Sequence, residues 1–289
     1  MLHIALVFLL AFLSTGKVII QGRFSRKMAK NTLDVFVFNA GMFGSVALCM
    51  LFVFRLPKIS PLTFLLGAVF GILSVFFQML YMRAMRMGAV SLTTMAVHFA
   101  IVFPIVFCIF AYGEVLSLTK AIGILLLIPS AILLFRPEQR APISRKWLLL
   151  LLIIFPVNGV SNIVQKIHQH TAFHEEVGGF VLSAYAVAAV LSLVLSLYRK
   201  KVFREIMSFR ISPRTCAPML LVGVVLGAFQ ALFLYLTGQV DAVVLYPVQT
   251  SATIILSVLS GVFLFGDRLD KKKFLGVFLG ICSILAVGL

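Results

Sequence analysis

The sequence predicts an all-α polytopic membrane protein with ten transmembrane helices, and three observations support this prediction. Of the 289 residues, 62% are hydrophobic and only 12% are charged, whereas soluble domains are about half apolar and about a quarter charged. The mean hydropathy is +1.12. The apolar residues form continuous stretches of about twenty residues, the length that a helix needs to cross the hydrocarbon core of a bilayer.

These apolar stretches define the individual elements. We predict spans at residues 2–21, 33–54, 62–82, 88–112, 117–135, 147–166, 177–198, 215–236, 242–265 and 272–289. The first span has no basic residue before it and no cleavage pattern after it, so we interpret it as a retained helix and not as a signal peptide. The connections are short, and we expect no separate soluble domain between them.

Two segments with the same sequence pattern lie 153 residues apart, one at 113–123 and one at 266–276. They contain Gly113, Glu114, Lys120 and Gly123 in the first copy, and Gly266, Asp267, Lys273 and Gly276 in the second. Five spans per copy is an odd number, so the second copy must enter the bilayer from the opposite side. We therefore predict two inverted five-helix repeats, residues 1–138 and 139–289, which is typical of transporters with a midplane binding site.

The distribution of basic residues gives an orientation. Twenty of the 25 Lys and Arg residues lie in or within a few residues of the connections after spans 1, 3, 5, 7 and 9, and four lie in or near the other connections. Basic connections face the cytoplasm, so this count places both termini outside. The net charge of +16 is explained by these flanking residues beside anionic headgroups. No folded basic surface is left for nucleic acid, and we expect no nucleic-acid partner.

The duplicated segments also carry a family resemblance. With the leucines that follow each acid, Leu116 and Leu269, they read Gly-acid-x-Leu-x(3)-Lys-x(2)-Gly. On this pattern and the ten-span duplication, the whole chain resembles the drug/metabolite transporter superfamily, EamA type. The resemblance implies a transporter with a central cavity surrounded by spans 1, 3, 4, 6, 8 and 9. It differs at Asp267, where Glu is more usual, and studied relatives generally have both termini in the cytoplasm, opposite to the charge count.

Within each Gly-acid segment, we interpret the glycine as a helix end and the acid as a structural group. A glycine terminates the preceding helix at low conformational cost. The carboxylate of Glu114 or Asp267 is then expected near the N-terminus of the next helix, where the macrodipole favours negative charge. A direct coupling role for these acids is the alternative.

Polar side chains inside the predicted spans are the candidates for substrate binding, because such groups are costly at bilayer depth without a partner or a wet cavity. The candidates are Lys17, Gln78, Tyr81, Thr94, His98, Asn158, Asn162, Gln230, Gln249 and Ser251. The 153-residue offset pairs His98 with Ser251. No Asp or Glu lies in the middle of a span, which disfavours the carboxylate-based exchange of cationic drugs known from small multidrug-resistance exchangers.

Structural roles stay open for these residues. His98 is either a substrate-binding or proton-linked group or a neutral histidine bonded to a neighbouring helix. Lys17 either binds an anionic or zwitterionic substrate or extends its ammonium towards the interface near Arg23. The amides also suit interhelical hydrogen bonds. His168, His170 and His174 have spacing compatible with a metal, but we interpret their loop as solvated and predict no metal site.

The preferred function is secondary transport of a small polar metabolite, such as an amino acid, by alternating access across the cytoplasmic membrane of the cell. No glycine-rich phosphate loop is present, and we predict no enzyme activity and no cofactor. The partners expected are the bilayer and a small-molecule substrate, and a monomer and a homodimer both stay open. A flippase for a lipid or lipid-linked metabolite is the alternative, and an intramembrane enzyme is disfavoured by the absence of clustered catalytic groups.

Overall fold

The computed structural model describes residues 2–27, 30–87, 93, 97–134, 144–208, 212–265 and 271–288. These residues form ten α-helices and no strand: α1 Leu2–Lys27, α2 Thr32–Phe54, α3 Pro61–Met87, α4 Val102–Tyr112, α5 Leu118–Leu134, α6 Arg145–Gln169, α7 Val177–Val202, α8 Pro213–Gln239, α9 Ala242–Phe265 and α10 Lys271–Gly288. Each predicted span corresponds to one helix, although α4 covers only the second half of span 88–112. The predicted all-helical fold is confirmed.

The helices are suited to a bilayer by length and composition. In the described part of the chain, α2, α3, α6, α7 and α8 are long and apolar enough to cross a membrane, and the other five contain shorter apolar stretches. Large apolar side chains such as Phe52, Phe110 and Leu118 are exposed on the outer surface. A surface of this kind is stable in contact with lipid, so the chain is a multi-pass membrane protein.

Local sequence explains several helix ends. Asn31 and Asp34 form a reciprocal capping box at the start of α2. The Ser144 hydroxyl accepts a hydrogen bond from the Trp147 backbone N–H at the start of α6. Gly113 ends α4 in the left-handed conformation, at φ 67°, as the sequence predicts. The corresponding Gly266 and Asp267 lie outside the described residues.

The first five helices pack mainly against the last five. The most extensive contacts join α2 to α7 and α5 to α10. Helix α3 also packs on α6 and α7, while α8 packs on α1 and α2. A large apolar core lies among α2, α3, α7 and α8, and a second lies around α9 and α4. The interior of the protein is therefore an interface between the two halves of the chain.

Glycines permit the closest of these approaches. Gly71 on α3 faces the Ala184 carbonyl group of α7, so closely that a Cβ atom at this position would overlap the carbonyl oxygen. Gly223 on α8 faces Ser45 of α2 with similarly little space. Small residues at such positions let helix backbones approach within a membrane. Gly71 and Gly223 thus fix the separation of α3 from α7 and of α8 from α2.

Two serine hydroxyls join α5 and α10 in a reciprocal arrangement. The Ser130 hydroxyl donates to the Gly276 carbonyl oxygen at 2.7 Å. The Ser283 hydroxyl donates to the Gly123 carbonyl oxygen, also at 2.7 Å. Both serines are buried, so each bond satisfies a polar group that has no access to water. These two serines were not predicted from the sequence.

Candidate functional site

A cavity of about 150 Å³ lies near the middle of the helix bundle. Its walls come from α1, α2, α3, α6, α7, α8 and α9 and from residues 97–101. Seven of the ten candidates line it: Lys17, Gln78, His98, Asn158, Asn162, Gln230 and Gln249. The structure therefore brings most of the polar groups that were selected from the sequence into one place.

The other three candidates do not belong to the described lining. Tyr81 is buried with its ring stacked on Phe77, at a centroid distance of 5.4 Å. The Ser251 hydroxyl lies 3.3 Å from the Ser283 hydroxyl of α10. Because Ser251 is two residues beyond Gln249, it points to nearly the opposite side of α9. Thr94 lies outside the described residues.

Two amides that were not predicted from the sequence also line the cavity, Gln21 and Gln165. Both lie at the very end of a predicted span, where a polar side chain is expected to face the interface. In the structure α1 continues to Lys27 and α6 to Gln169, so both amides lie inside their helices. Their spacing could have identified them. Gln21 is four residues after Lys17, and Gln165 is three residues after Asn162, so each shares a helix face with a predicted site residue.

Hydrogen bonds connect the amides across four helices. The Tyr185 hydroxyl of α7 donates to Gln230 Oε1 at 3.3 Å. The Gln230 Nε2 group donates to Gln165 Oε1 of α6, and the Tyr246 hydroxyl of α9 donates to the Asn162 carbonyl oxygen at 3.4 Å. Such a network fixes the side chains that form the wall and keeps buried polar atoms paired.

The α-helical hydrogen-bonding pattern is interrupted in the wall formed by residues 97–101, where residues 97–99 are helical and residues 100–101 form a turn before α4. Hydrogen bonds there join residues three apart, from Ala100 N–H to the Val97 carbonyl and from Phe103 N–H to the Ala100 carbonyl. Pro104 has no N–H to give to the Ala100 carbonyl, which explains the irregularity. Asn158 of α6 donates to the Val97 carbonyl oxygen at 3.0 Å. Irregular backbone at membrane depth is tolerated where it lines a cavity, and it carries His98 into this one.

Lys17 extends into the cavity. Its Nζ atom lies 5.1 Å from the centroid of the Phe229 ring on α8, within the range of a cation–π contact. No Asp or Glu is among the described residues that line the cavity. The cavity therefore carries a cationic group without an acidic counterpart in its described walls.

A buried ion pair lies beyond one end of the cavity. The Lys166 Nζ atom is 3.0 Å from Glu114 Oε1, and the two side chains are only 4% and 7% exposed. The same ammonium donates to the carbonyl oxygens of Thr237 and Val240 at the C-terminus of α8. Because Lys166 directly follows Gln165, the pair lies next to the cavity wall. From the sequence, Lys166 is predicted only as a charge at the membrane interface.

Glu114 does not bind where the sequence predicts. Its Oε2 atom accepts from the Val243 backbone N–H at 3.1 Å, at the N-terminus of α9. The expected interaction with the next helix, α5, is therefore wrong, and at that helix the Ser117 hydroxyl accepts from the Lys120 N–H instead. Burial raises the pKa of the Glu114 carboxyl, but hydrogen bonds from α9 and from Lys166 outweigh it and hold the pKa below its ordinary value.

Two histidines near the end of α6, His168 and His170, contact neighbouring helices. His168, expected in a solvated loop, is fully buried, with Nε2 3.3 Å from the Thr63 hydroxyl. The His170 ring stacks on Tyr112 of α4 at a centroid distance of 3.8 Å. No group of three or more His, Cys, Asp or Glu side chains in the described part of the chain is arranged to hold a metal ion.

The fold and the site together define a polytopic membrane protein with a polar internal cavity. Residues 2–136 match the model of the EamA-like transporter family. This family is part of the drug/metabolite transporter superfamily. The matched segment, just under half of the chain, belongs to that family, and the resemblance predicted from the sequence is confirmed. Together with the apolar helices, this match supports a transmembrane transporter of the drug/metabolite type.

Comparison with solved structures supports the fold. The crystal structure of another protein has a TM-score of 0.68 and a sequence identity of 14% to this chain. The similarity covers 97% of this chain and 98% of the other. At this identity the likeness shows the fold alone. No curated protein matches the chain.

Proposed function

We propose that the protein is a secondary transporter that moves a small polar metabolite through the central cavity by alternating access. The observation that carries this proposal is the cavity itself, whose polar lining comes from both halves of the chain. Transport sites between two repeats at membrane depth have this form. The substrate is a small molecule, the driving force is a solute or ion gradient, and no bound cofactor is required.

We propose further that residues 1–138 and 139–289 form two inverted five-helix repeats. The packing supports this proposal. If each helix is replaced by the helix five places away, the α3–α7 contact corresponds to α8–α2, and the α3–α6 contact corresponds to α8–α1. The same replacement leaves the α2–α7 and α5–α10 contacts unchanged. The reciprocal bonds of Ser130 and Ser283 obey the same exchange, because these serines and their glycine partners are each 153 residues apart.

Alternating access requires that the two faces of the protein open in turn. If all ten helices cross the bilayer, the connections after α2, α4, α6 and α8 lie on one face, which we call the even face. The Glu114–Lys166 pair joins α6, α8, α9 and the α4–α5 connection there. On the opposite face, Asp34 accepts from the Ser208 N–H and joins the α1–α2 and α7–α8 connections. Opening the even face would have to break the buried ion pair.

Uptake into proteoliposomes tests transport and the role of His98. We expect purified protein to move at least one class of small polar metabolite, and we expect His98→Ala to lower uptake by about tenfold, the loss of one good hydrogen bond in the cavity. His174→Ala is the matched control, because His174 lies in an exposed connection outside the lining. Uptake should fall only in the cavity variant, and His174→Ala should keep the wild-type rate. Folded protein without flux for any metabolite class would contradict the proposal.

A flippase is the second candidate, and one feature favours it. A groove of about 900 Å³ lies between α3 and α7, lined almost entirely by apolar side chains such as Ile72, Phe76 and Val190 that are exposed on the outer surface. A lipid chain fits this chemistry. Flipping of labelled phospholipid in the same vesicles, without solute uptake, would favour the flippase over the solute transporter.

We propose that the even face is outside the cytoplasm and that the protein resides in the cytoplasmic membrane of the cell. The support is the charge distribution, since the even-face connections hold few of the 25 Lys and Arg residues. Both termini are then outside. A reporter that is active only in the cytoplasm, fused after Leu289, should be inactive. An active reporter would reverse the orientation and would agree instead with the resemblance to relatives whose termini are cytoplasmic.

A further inference from the structure

We propose that Lys17 makes the cavity selective for substrates that carry a carboxylate group. The inference rests on the proposed transport function and adds the chemical class of the substrate. It starts from the position of Lys17, whose ammonium lies inside the cavity over the Phe229 ring and does not extend towards the interface. The interfacial alternative left open by the sequence does not fit this geometry.

The charge of Lys17 has no acidic neighbour in the described walls of the cavity. None of the described acids lines the cavity, and three of them are held elsewhere: Glu114 pairs with Lys166, Asp34 binds backbone N–H groups, and Glu205 pairs with Arg199. A cation in a low-dielectric cavity is costly without an ionic partner. The Phe229 ring offsets part of this cost but accepts none of the three ammonium hydrogen bonds. A bound carboxylate would supply what the described walls lack.

Two buried polar atoms of residues that line the cavity have no partner among the described residues. They are Gln21 Oε1, an acceptor, and Gln78 Nε2, a donor. Gln21 is one helical turn from Lys17 and lies on the same face of α1. Together the unmatched groups are an ammonium and an amide N–H, which suit a carboxylate, and one acceptor, which suits an amino or hydroxyl group. A small carboxylic acid with an amino or hydroxyl group has this combination.

The remaining lining favours a carboxylate over a phosphate. Phosphate groups carry more than one negative charge near neutral pH and are usually bound by Arg or by several cations. Lys17 is the one cationic side chain among the described lining residues, and the cavity is small. Phe70, Phe77 and Phe233 provide apolar surface for the rest of the substrate.

A solute panel grouped by charge tests the inference in wild-type proteoliposomes. The panel comprises L-amino acids, monocarboxylates such as lactate, amino-acid amides and small organic amines. We expect every transported solute to carry a carboxylate, and we expect conversion of that carboxylate to an amide to abolish uptake. Transport of an amine or an amide at a comparable rate would overturn the inference and leave the transporter proposal intact. Absence of flux for every solute would overturn both.

Variants connect the selectivity to Lys17 itself. For the solute found in the panel, Lys17→Gln should weaken binding by about tenfold to a hundredfold, as expected for loss of a charged hydrogen bond. Lys17→Arg should retain part of the affinity. Lys201→Gln removes the same charge from an exposed position at the end of α7 and should have no effect. Equal affinity of Lys17→Gln and wild type would overturn the role of Lys17. If Lys17→Gln does not fold, the wild-type comparison of acid and amide still decides.

Discussion

Replacing Glu114 by glutamine should destabilise the folded protein by about 3–5 kcal/mol, the cost of removing one partner from a buried ion pair. Lys166 would keep its carbonyl partners on α8 but would lose its only described ionic partner. The glutamine oxygen can still accept from the α9 N-terminus, so this variant isolates the charge. Thermal unfolding in detergent, with and without the additional change Lys166→Met, measures the effect. The double variant should recover much of the stability, because no uncompensated charge is left.

A second ion pair among the described residues provides the matched control. Arg199 and Glu205 are also 3.0 Å apart, but their side chains are 30% and 21% exposed. Glu205→Gln should therefore cost only about 0–1 kcal/mol. Equal losses for Glu114→Gln and Glu205→Gln would show that burial does not strengthen the Glu114–Lys166 interaction.

Acidic pH should weaken the Glu114–Lys166 ion pair. The pKa of Glu114 is held below its ordinary value of 4.5 in the folded protein. The stabilisation is therefore present above that ordinary value and is lost as the pH falls through the lower, folded-state value. Wild-type stability should fall over this acidic range more steeply than that of Glu114→Gln, which has no carboxyl to protonate.

Replacing Gly71 by valine should destabilise the protein by about 1–3 kcal/mol or prevent folding, because the new side chain must displace the Ala184 carbonyl group. Helices α3 and α7 would have to separate, and the core packed between them would lose contacts. The measurement is thermal unfolding in detergent, together with the fraction of monodisperse protein after purification.

The same substitution at Gly44 separates crowding from other effects of valine. Gly44 lies inside α2, and a Cβ atom there meets no other atom within 4 Å. Gly44→Val should therefore leave the unfolding temperature nearly unchanged. If both variants lose stability equally, helix propensity in the bilayer and not the α3–α7 approach would explain the loss.

The sequence is sufficient to predict the ten helices, because their apolar length is a direct consequence of the bilayer. It is less informative about α4, where continuous hydrophobicity conceals the irregular backbone at residues 97–101 that Pro104 produces. Composition reports which residues can be in contact with lipid. It does not report where a helix loses its regular hydrogen bonds.

The sequence predicts most of the polar residues that line the cavity, but it does not predict all of them. Seven of ten candidates line the cavity because unpartnered polar groups at depth have few other stable positions. Gln21 and Gln165 are missed because helices continue beyond their apolar stretches. Lys166 is missed for a different reason. A lysine at the end of a span resembles an interfacial anchor, and only tertiary structure brings Glu114 from another connection to it.

The contacts between the two halves have a consequence for how the protein matures. The strongest associations of α2, α3 and α5 are with helices that are synthesised later, α7 and α10. The first five helices therefore enter the bilayer before most of their stabilising neighbours exist. We expect them to persist as a loosely associated group in the membrane until synthesis is nearly complete. Ser130 and Gly123 acquire their partners only after α10 has been synthesised, so the α5–α10 contact forms late in assembly.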